Sequence, residues 1–149
     1  MKLEEEIKQK KFFSEYQKLA VNIFFTHSWL VSLQRKLFDK NNITLAQYNI
    51  LRILRGQKQN PVSVSLLKDR MIDKMCDVSR LIERLRTKGL VKRYACSEDR
   101  RKTNIIITKK GLLLLEKLDI KEKQFLNNLK TINKTEAKTL NTLLDKLRG

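Results

Sequence analysis

The chain has 149 residues, about the length of one domain, with enough apolar sequence to form a buried core. It carries 33 lysines and arginines against 16 aspartates and glutamates, and this net charge of +17 favours nucleic acid as partner over an anionic membrane surface. No apolar run approaches the roughly 18 to 20 residues of a membrane span, and no signal-peptide core is present, so we expect a cytoplasmic protein.

Helices dominate the first half of the predicted structure. Apolar residues recur at helical spacing from about residue 7 to residue 38, which predicts one long helix with more apolar surface than a small domain needs. Thr44 is a natural N-cap for a second helix, LAQYNILRIL, and the segment GQKQNPV that follows is a loop. A short helix, SVSLLKDRMI, is predicted next, capped by Ser63 or Ser65, and then a turn around DKM with Asp73 as a possible cap.

The segment CDVSRLIERLRTKGLV is predicted to be the second helix of a helix–turn–helix. Val78, Leu81, Ile82 and Leu85 lie at i, i+3, i+4 and i+7 and should face the core, and Gly89 suits a left-handed helix end. The next segments, LVKRYA and NIIIT, flank the charged CSEDRRKT and predict a two-stranded hairpin.

Two further helices are predicted after the hairpin. Thr108 can cap the segment KKGLLLLEKLDIKEKQFLNNL, and a last helix runs from about residue 134. The last helix carries one apolar stripe, formed by Ala137, Leu140, Leu143, Leu144 and Leu147. The fold class we expect is mainly α (α+β), a winged helix–turn–helix within a single domain.

The positive charge is concentrated around the predicted hairpin. The 27 residues from Arg84 to Lys110 carry ten basic and two acidic groups, so they hold +8 of the total +17. A solubility charge would be spread more evenly, which favours a binding surface over a merely solvated one. A turn of about 100° per residue also puts short polar groups and guanidinium groups on the outer face of the second helix, types that reach base edges and phosphates. We assign to that face Cys76, Asp77, Ser79, Arg80, Glu83, Arg84 and Thr87.

Individual roles follow from the side-chain chemistry. Arg80 and Arg84 are the leading contacts to bases or phosphates, although exposed arginines commonly do no more than solvate a helix. Ser79 and Thr87 would position the helix on phosphates. Glu83 either accepts from cytosine or orients Arg80 or Arg84, and the second role is the one we favour.

The segments SRLIERLRTKGLVKR and DRRKTNIIITKKG together resemble the MarR family of bacterial transcription regulators. The matching positions are Leu85, Lys88, Gly89, Leu90, Val91 and Arg93, then Asp99, Arg101, Ile105, Ile107, Thr108 and Gly111. The resemblance implies a homodimer in which the terminal helices of about 1–40 and 112–149 intertwine, while winged units of about 41–111 bind a pseudo-palindromic operator. It also implies that Arg101 at the wing enters the minor groove and that Asp99 holds the wing arginines. Arg100 and Lys102 would then add phosphate contacts.

Members of this family often bind a small aromatic effector, and here Phe24, His27, Trp29 and Tyr48 could line such a cleft. For His27 a place in the core is the alternative that we favour. Two cysteines, Cys76 and Cys96, with one histidine cannot form a convincing zinc set, so we expect no metal and no cofactor. Cys76 would be a redox switch if a helix N-terminus lowered the pKa of its thiol, although an ordinary reduced thiol is the simpler interpretation.

The function that we favour is a sequence-specific transcriptional regulator, and we expect it to repress transcription. Two other classes of function are alternatives to it. One is a winged binding module that coats DNA or binds RNA without regulating particular sites. The other is an enzyme, which is disfavoured because the sequence has no glycine-rich phosphate loop, no nucleophile–histidine set and no paired carboxylates.

Overall fold

The computed structural model describes residues 1–38, 41–95 and 103–149. Seven helices and three strands lie in these ranges. In chain order they are α1 (Leu3–Glu6), α2 (Glu15–Phe38), α3 (Leu45–Gly56), β1 (Val62–Ser63), α4 (Val64–Arg70), α5 (Val78–Thr87), β2 (Val91–Ala95), β3 (Thr103–Ile107), α6 (Lys109–Asn127) and α7 (Lys134–Arg148). The expected class, mainly α with a small antiparallel sheet, is confirmed.

The first compact unit, Met1–Leu45, contains α1 and α2. The predicted long helix is confirmed over Glu15–Phe38, but its predicted start at about residue 7 is wrong, because the chain leaves the helical conformation at Lys8, whose φ is +54°. The second helix begins at Glu15, where the Gln17 backbone N–H donates to Ser14 Oγ at 3.2 Å. Lys18 on α2 forms an ion pair with Glu4 on α1 at 2.5 Å, which ties the short helix to the long one.

The second unit, Ala46–Gly149, contains the helix–turn–helix and the sheet. Its core is formed by apolar side chains that are at most 1% exposed: Ile50, Leu51, Leu54, Leu67, Ile82, Leu85, Ile105, Leu115 and Leu118. Because these residues come from α3, α4, α5, β3 and α6, the core fixes the helix–turn–helix to the sheet and to α6. Ser63 caps α4 through Leu66 N–H at 3.2 Å, as predicted.

The sheet has three antiparallel strands in the order β1–β3–β2. Residues 91–95 and 103–107 pair as the predicted hairpin, with Val91 opposite Ile107 and Ala95 opposite Thr103. The prediction missed β1, in which Val62 pairs with Ile105 and Ser63 with Asn104. Two residues are too few for an alternating pattern to be visible, and the strand forms because β3 provides the partner.

The junction between the hairpin and the helices on both sides explains much of the residue pattern. Gly89 has φ +69°, and the N–H groups of Gly89 and Leu90 donate to Arg86 O at 2.8 Å and Leu85 O at 3.0 Å. This is the Schellman arrangement that ends α5, and the predicted left-handed glycine is confirmed. At the other strand end Thr108 caps α6 as predicted, accepting from Gly111 N–H at 3.1 Å and donating to Gly89 O at 2.8 Å.

Polar pairs join α3 to α6 within the second unit. The Arg55 guanidinium donates twice to the Asp119 carboxylate, at 2.6 and 3.2 Å. The Tyr48 hydroxyl donates to Glu122 Oε2 at 3.0 Å, and Arg52 pairs with the same carboxylate. Burial of the Tyr48 side chain and then its hydrogen bond to Glu122 raise the pKa of Tyr48 to about 12.

Candidate nucleic-acid interface

Helix α5 is held by its buried face and by caps at both ends. Val78, Ile82 and Leu85 are buried and Leu81 is half-buried, as the helical spacing predicts. The helix contacts α4 and β2, so its orientation is set by both the preceding helix and the sheet. Its opposite face is therefore displayed on a rigid support.

The outward face of α5 carries polar and cationic side chains. Ser79, Arg80, Glu83, Arg84 and Thr87 are all exposed. Within the described ranges, no hydrogen bond or ion pair engages the guanidinium groups of Arg80 or Arg84. Both groups therefore remain available to a ligand, and a guanidinium can bind guanine or a phosphate with two parallel hydrogen bonds.

Glu83 has a different partner from the one expected. Its carboxylate accepts from Arg86, at 2.7 and 3.1 Å to Oε1 and at 3.0 Å to Oε2, and not from Arg80 or Arg84. Hydrogen bonding to Arg86 lowers the pKa of Glu83, with a smaller electrostatic contribution from Arg93. The spacing i, i+3 on one helix explains the pair and was visible in the sequence.

The start of α5 also differs from the expectation. The helix begins at Val78, and Asp77 is the N-cap, accepting from Arg80 N–H at 3.0 Å. Asp73 does not cap the helix; its carboxylate accepts from Met75 N–H at 2.9 Å and closes the turn. Asp77 thus has a structural task, and the turn between the two helices is fixed by side chain to backbone hydrogen bonds.

Cys76 lies before the N-cap and outside α5. Its thiol donates to Asp73 O at 3.0 Å, and burial, followed by the negative charge of Asp73, raises the pKa of the Cys76 thiol. This direction does not support a thiolate-based redox switch, and an ordinary reduced thiol stays the interpretation that we favour.

The sheet adds a cationic residue near α5. Lys92 and Arg93 are exposed on β2, and the electrostatic interaction of Arg93 with Glu83 indicates that this strand carries charge near the outer face of the helix. Arg86 and Arg93 are the members of this surface that the sequence-based assignment left out. The predicted wing residues Asp99, Arg100, Arg101 and Lys102, with Cys96, lie outside the described residues.

The residues assigned to an effector cleft are divided between the two units. Phe24 and His27 are exposed on α2, and Trp29 is half-buried there. The favoured place of His27 in the core is wrong, since its side chain is exposed. Tyr48 is a buried residue of α3 in the other unit, with its hydroxyl bound to Glu122. The effector cleft stays a prediction.

Other site types find no support in the part of the chain that the structure describes. Over residues 1–38, 41–95 and 103–149, no group of three histidine, cysteine or carboxylate side chains is arranged to hold a metal ion. No helix within those ranges has the length and apolar character required to cross a membrane.

A helix–turn–helix that lies between the first strand and the hairpin of a three-stranded antiparallel sheet, with a polar, cationic outer helix face, defines a winged helix–turn–helix protein. Comparison with known proteins agrees with this class. Residues 43–103 match the model of the MarR family. The HTH-type transcriptional regulator PapX of Escherichia coli is 26% identical over 94 residues, a match that covers 63% of this chain and only 57% of PapX.

Solved structures extend the similarity over most of the chain. A MarR-like transcription regulator from Bacillus cereus ATCC 10987 superimposes with a TM-score of 0.80 at 26% identity, covering 90% of this chain and 96% of that one. A mutant of E. coli MarR, solved in complex with operator DNA, has the same fold, with a TM-score of 0.81 at 24% identity and coverage of 93% and 99%. The chain is therefore similar to MarR-family transcription regulators both in the family model that residues 43–103 match and in its fold, as its motifs indicated.

Proposed function

We propose that this protein is a homodimeric regulator that binds a pseudo-palindromic operator in double-stranded DNA and represses transcription by occupying it. The observation that carries the proposal is the outer face of α5, where Arg80 and Arg84 are exposed and have no partner among the described residues. A recognition helix of a helix–turn–helix presents such a face to the major groove. The E. coli MarR complex with operator DNA supports this use of the fold.

The proposed dimer accounts for apolar surface that the single chain leaves in water. On α7 the side chains of Leu140, Leu143 and Leu147 are 49–57% exposed, and on α2 Tyr16 and Phe24 are 84% and 73% exposed. Residues of about 1–40 and 112–149 would then form the dimer region, and about 41–111 the DNA-binding unit. Two-fold symmetry would put two recognition helices about one DNA turn apart, at roughly 34 Å.

On this proposal α5 supplies direct contacts and the hairpin tip supplies the wing. Arg80 and Arg84 bind base edges or phosphates, while Ser79 and Thr87 bind phosphates. Glu83 holds Arg86, and Asp77 and Cys76 lie at the helix start as neighbours of the DNA. In the wing Arg101 enters the minor groove, Asp99 orients it, and Arg100 and Lys102 bind phosphates.

A small aromatic effector that relieves repression is part of the proposal. We propose that the protein acts in the cytoplasm, where bacterial DNA lies. The protein would act by binding alone, without catalysis, metal or cofactor.

Selection of bound sites from a random duplex library by the purified protein tests the function. We expect a pseudo-palindromic consensus that outcompetes both random duplex and structured RNA. Equal binding to all three would instead support an architectural or RNA-binding module. Arg80→Ala should flatten the sequence preference, whereas Lys102→Ala should weaken every duplex alike. If both variants weakened specific and random duplex equally, α5 would not be the element that recognises sequence.

A further inference from the structure

The turn between α4 and α5 displays two large apolar side chains to solvent. The side chain of Ile72 is 86% exposed and that of Met75 is 93% exposed. A single exposed apolar residue is ordinary on a protein surface, but these two lie in one seven-residue turn that leads into α5. Their exposure has no structural purpose within the second unit, whose core takes Met71 from the same turn instead.

The turn that carries them is fixed by two hydrogen bonds from its backbone N–H groups to side-chain oxygens. Ile72 N–H donates to Asn49 Oδ1 at 3.0 Å, and Met75 N–H donates to Asp73 Oδ1 at 2.9 Å. The side chains of Asn49 and Asp73 are thus engaged with the backbone, and the apolar side chains of Ile72 and Met75 are exposed beside them. These two hydrogen bonds fix the backbone at Ile72 and Met75, and with it the exposed position of both side chains.

The charge around the pair indicates which kind of partner it meets. Arg70, Lys74 and Arg80 are exposed cations on both sides of it, while the carboxylates of Asp73 and Asp77 each accept a backbone N–H. Such surroundings favour a polyanion over a lipid surface or an apolar protein segment. Met75 lies two residues before the Asp77 N-cap, so the pair directly precedes α5 in the chain.

We propose that Ile72 and Met75 contact thymine methyl groups in the major groove and give the protein a preference for thymine at defined operator positions. The C5-methyl group of thymine is the apolar feature among the base edges of the major groove, and apolar side chains recognise it by contact. The N-terminal end of a recognition helix is the part that reaches base edges, and the turn that carries Ile72 and Met75 leads directly into that end of α5. Met75 is suited to the role because an unbranched thioether side chain adapts to an irregular surface.

This inference rests on the proposed function, and it adds a readout that guanidinium groups do not provide. Arginine on α5 would select guanine through its two acceptors, whereas an apolar contact selects the methyl group of an A·T pair. The two kinds of contact would together distinguish more base pairs than Arg80 and Arg84 alone.

The test uses the selected operator, with single thymines in one half-site replaced by deoxyuridine, which removes only the methyl group. We expect one or two positions at which wild-type protein binds about three- to fivefold more weakly, the effect of losing one buried apolar carbon. Met75→Ala and Ile72→Ala, at exposed positions that leave the core intact, should reduce this thymine–deoxyuridine ratio towards one. Lys74→Ala, in the same turn, is the matched control and should weaken both duplexes alike.

Unchanged wild-type affinity when every thymine is replaced would overturn the inference and leave the proposed function standing. The same conclusion would follow from a selected half-site without thymine, or from Met75→Ala and Ile72→Ala proteins that keep the full ratio. Failure of the proposed function itself has a separate signature, because the preceding selection would then return no preferred sequence at all, and the inference would fall with it.

Discussion

At position 111 the surrounding atoms leave no room for a side chain, so the residue has to be glycine. It lies in the first turn of α6, and a Cβ built on it would be 2.4 Å from Leu90 O and 2.8 Å from Ile107 Cγ1. We expect Gly111→Ala to destabilise the protein by about 1–3 kcal/mol, because the hairpin and α6 must move apart to admit a methyl group. Urea unfolding followed by circular dichroism measures the change.

Gly56→Ala is the matched control for this prediction. Gly56 ends α3, and a Cβ built there meets no atom within 4 Å. Alanine there should change the free energy of unfolding by less than about 1 kcal/mol, on the stabilising side. Equal destabilisation by the two substitutions would show that the close approach of α6 to the hairpin does not limit the residue at 111.

Tyr48 gives the protein a pH-dependent component of stability. Its pKa is raised from the ordinary 10.0 to about 12 in the folded chain, so its contribution is complete below pH 10 and is lost as the pH rises towards 12. Each unit of pKa difference corresponds to about 1.4 kcal/mol, and we expect a loss of roughly 1–2 kcal/mol across this range. The Tyr48→Phe variant has no titrating hydroxyl at this position, so its free energy of unfolding should not show this decrease at high pH.

Urea unfolding of both proteins between pH 8 and pH 11 checks this prediction. At pH 8 the wild type should be more stable by about 1 kcal/mol, since the variant lacks the hydrogen bond to Glu122. The difference should shrink above pH 10. Parallel stability curves over the whole range would mean that the Tyr48 hydroxyl titrates alike in the folded and unfolded chains.

At the scale of elements, the helices with strong local signals were predictable. Helix α5 has apolar residues at i, i+3, i+4 and i+7 and a glycine at its end, and α6 has a threonine at its N-cap. The break after α1 and the strand β1 had no comparable signal. The break depends on Lys8 taking a left-handed conformation, and β1 depends on pairing with β3, which lies about forty residues later.

The candidate site was predictable to the extent that it follows from helix periodicity. A turn of 100° per residue correctly put Arg80 and Arg84 on the exposed side of α5. Periodicity did not settle which arginine pairs with Glu83, because Arg80, Arg84 and Arg86 are all close to it along the helix. In the structure the partner is Arg86. The roles of Asp73 and Asp77 depended on a turn geometry that helix periodicity does not specify.

The stripe of leucines on α7 leads to a prediction about assembly. Leu143 is 57% exposed at its centre, so a glutamate there leaves the single chain unharmed but would bury a carboxylate in a dimer interface. We expect Leu143→Glu to raise the dimer dissociation constant at least about a hundredfold. Thr142→Glu, on the opposite side of α7, introduces the same charge and should leave the dimer intact. Sedimentation equilibrium distinguishes these outcomes, and a monomeric wild type would contradict the dimer.

At the scale of the whole molecule, the net charge of +17 can promote DNA binding in two ways, through the electrostatic field of the whole protein and through contacts of a binding surface with particular phosphates. A general field raises the rate of encounter with any polyanion and depends on total charge, so it makes no distinction between positions. A binding surface neutralises particular phosphates and displaces a definite number of counterions. The two contributions differ in their dependence on salt, and substitutions of equal charge at different positions separate them.

We expect the logarithm of the operator-binding constant to fall linearly with the logarithm of salt concentration, by about 0.9 for each phosphate neutralised. If Arg84 binds a phosphate in each protomer, Arg84→Ala makes the slope shallower by about 1.8, since a dimer loses two contacts. Lys138→Ala removes the same charge from the exposed polar side of α7 and should leave the slope at its wild-type value. Fluorescence anisotropy across a salt series of roughly 50 to 300 mM measures all three slopes. Equal changes in both variants would mean that charge acts through the general field, whereas a change confined to Arg84→Ala would locate phosphate binding on the outer face of α5.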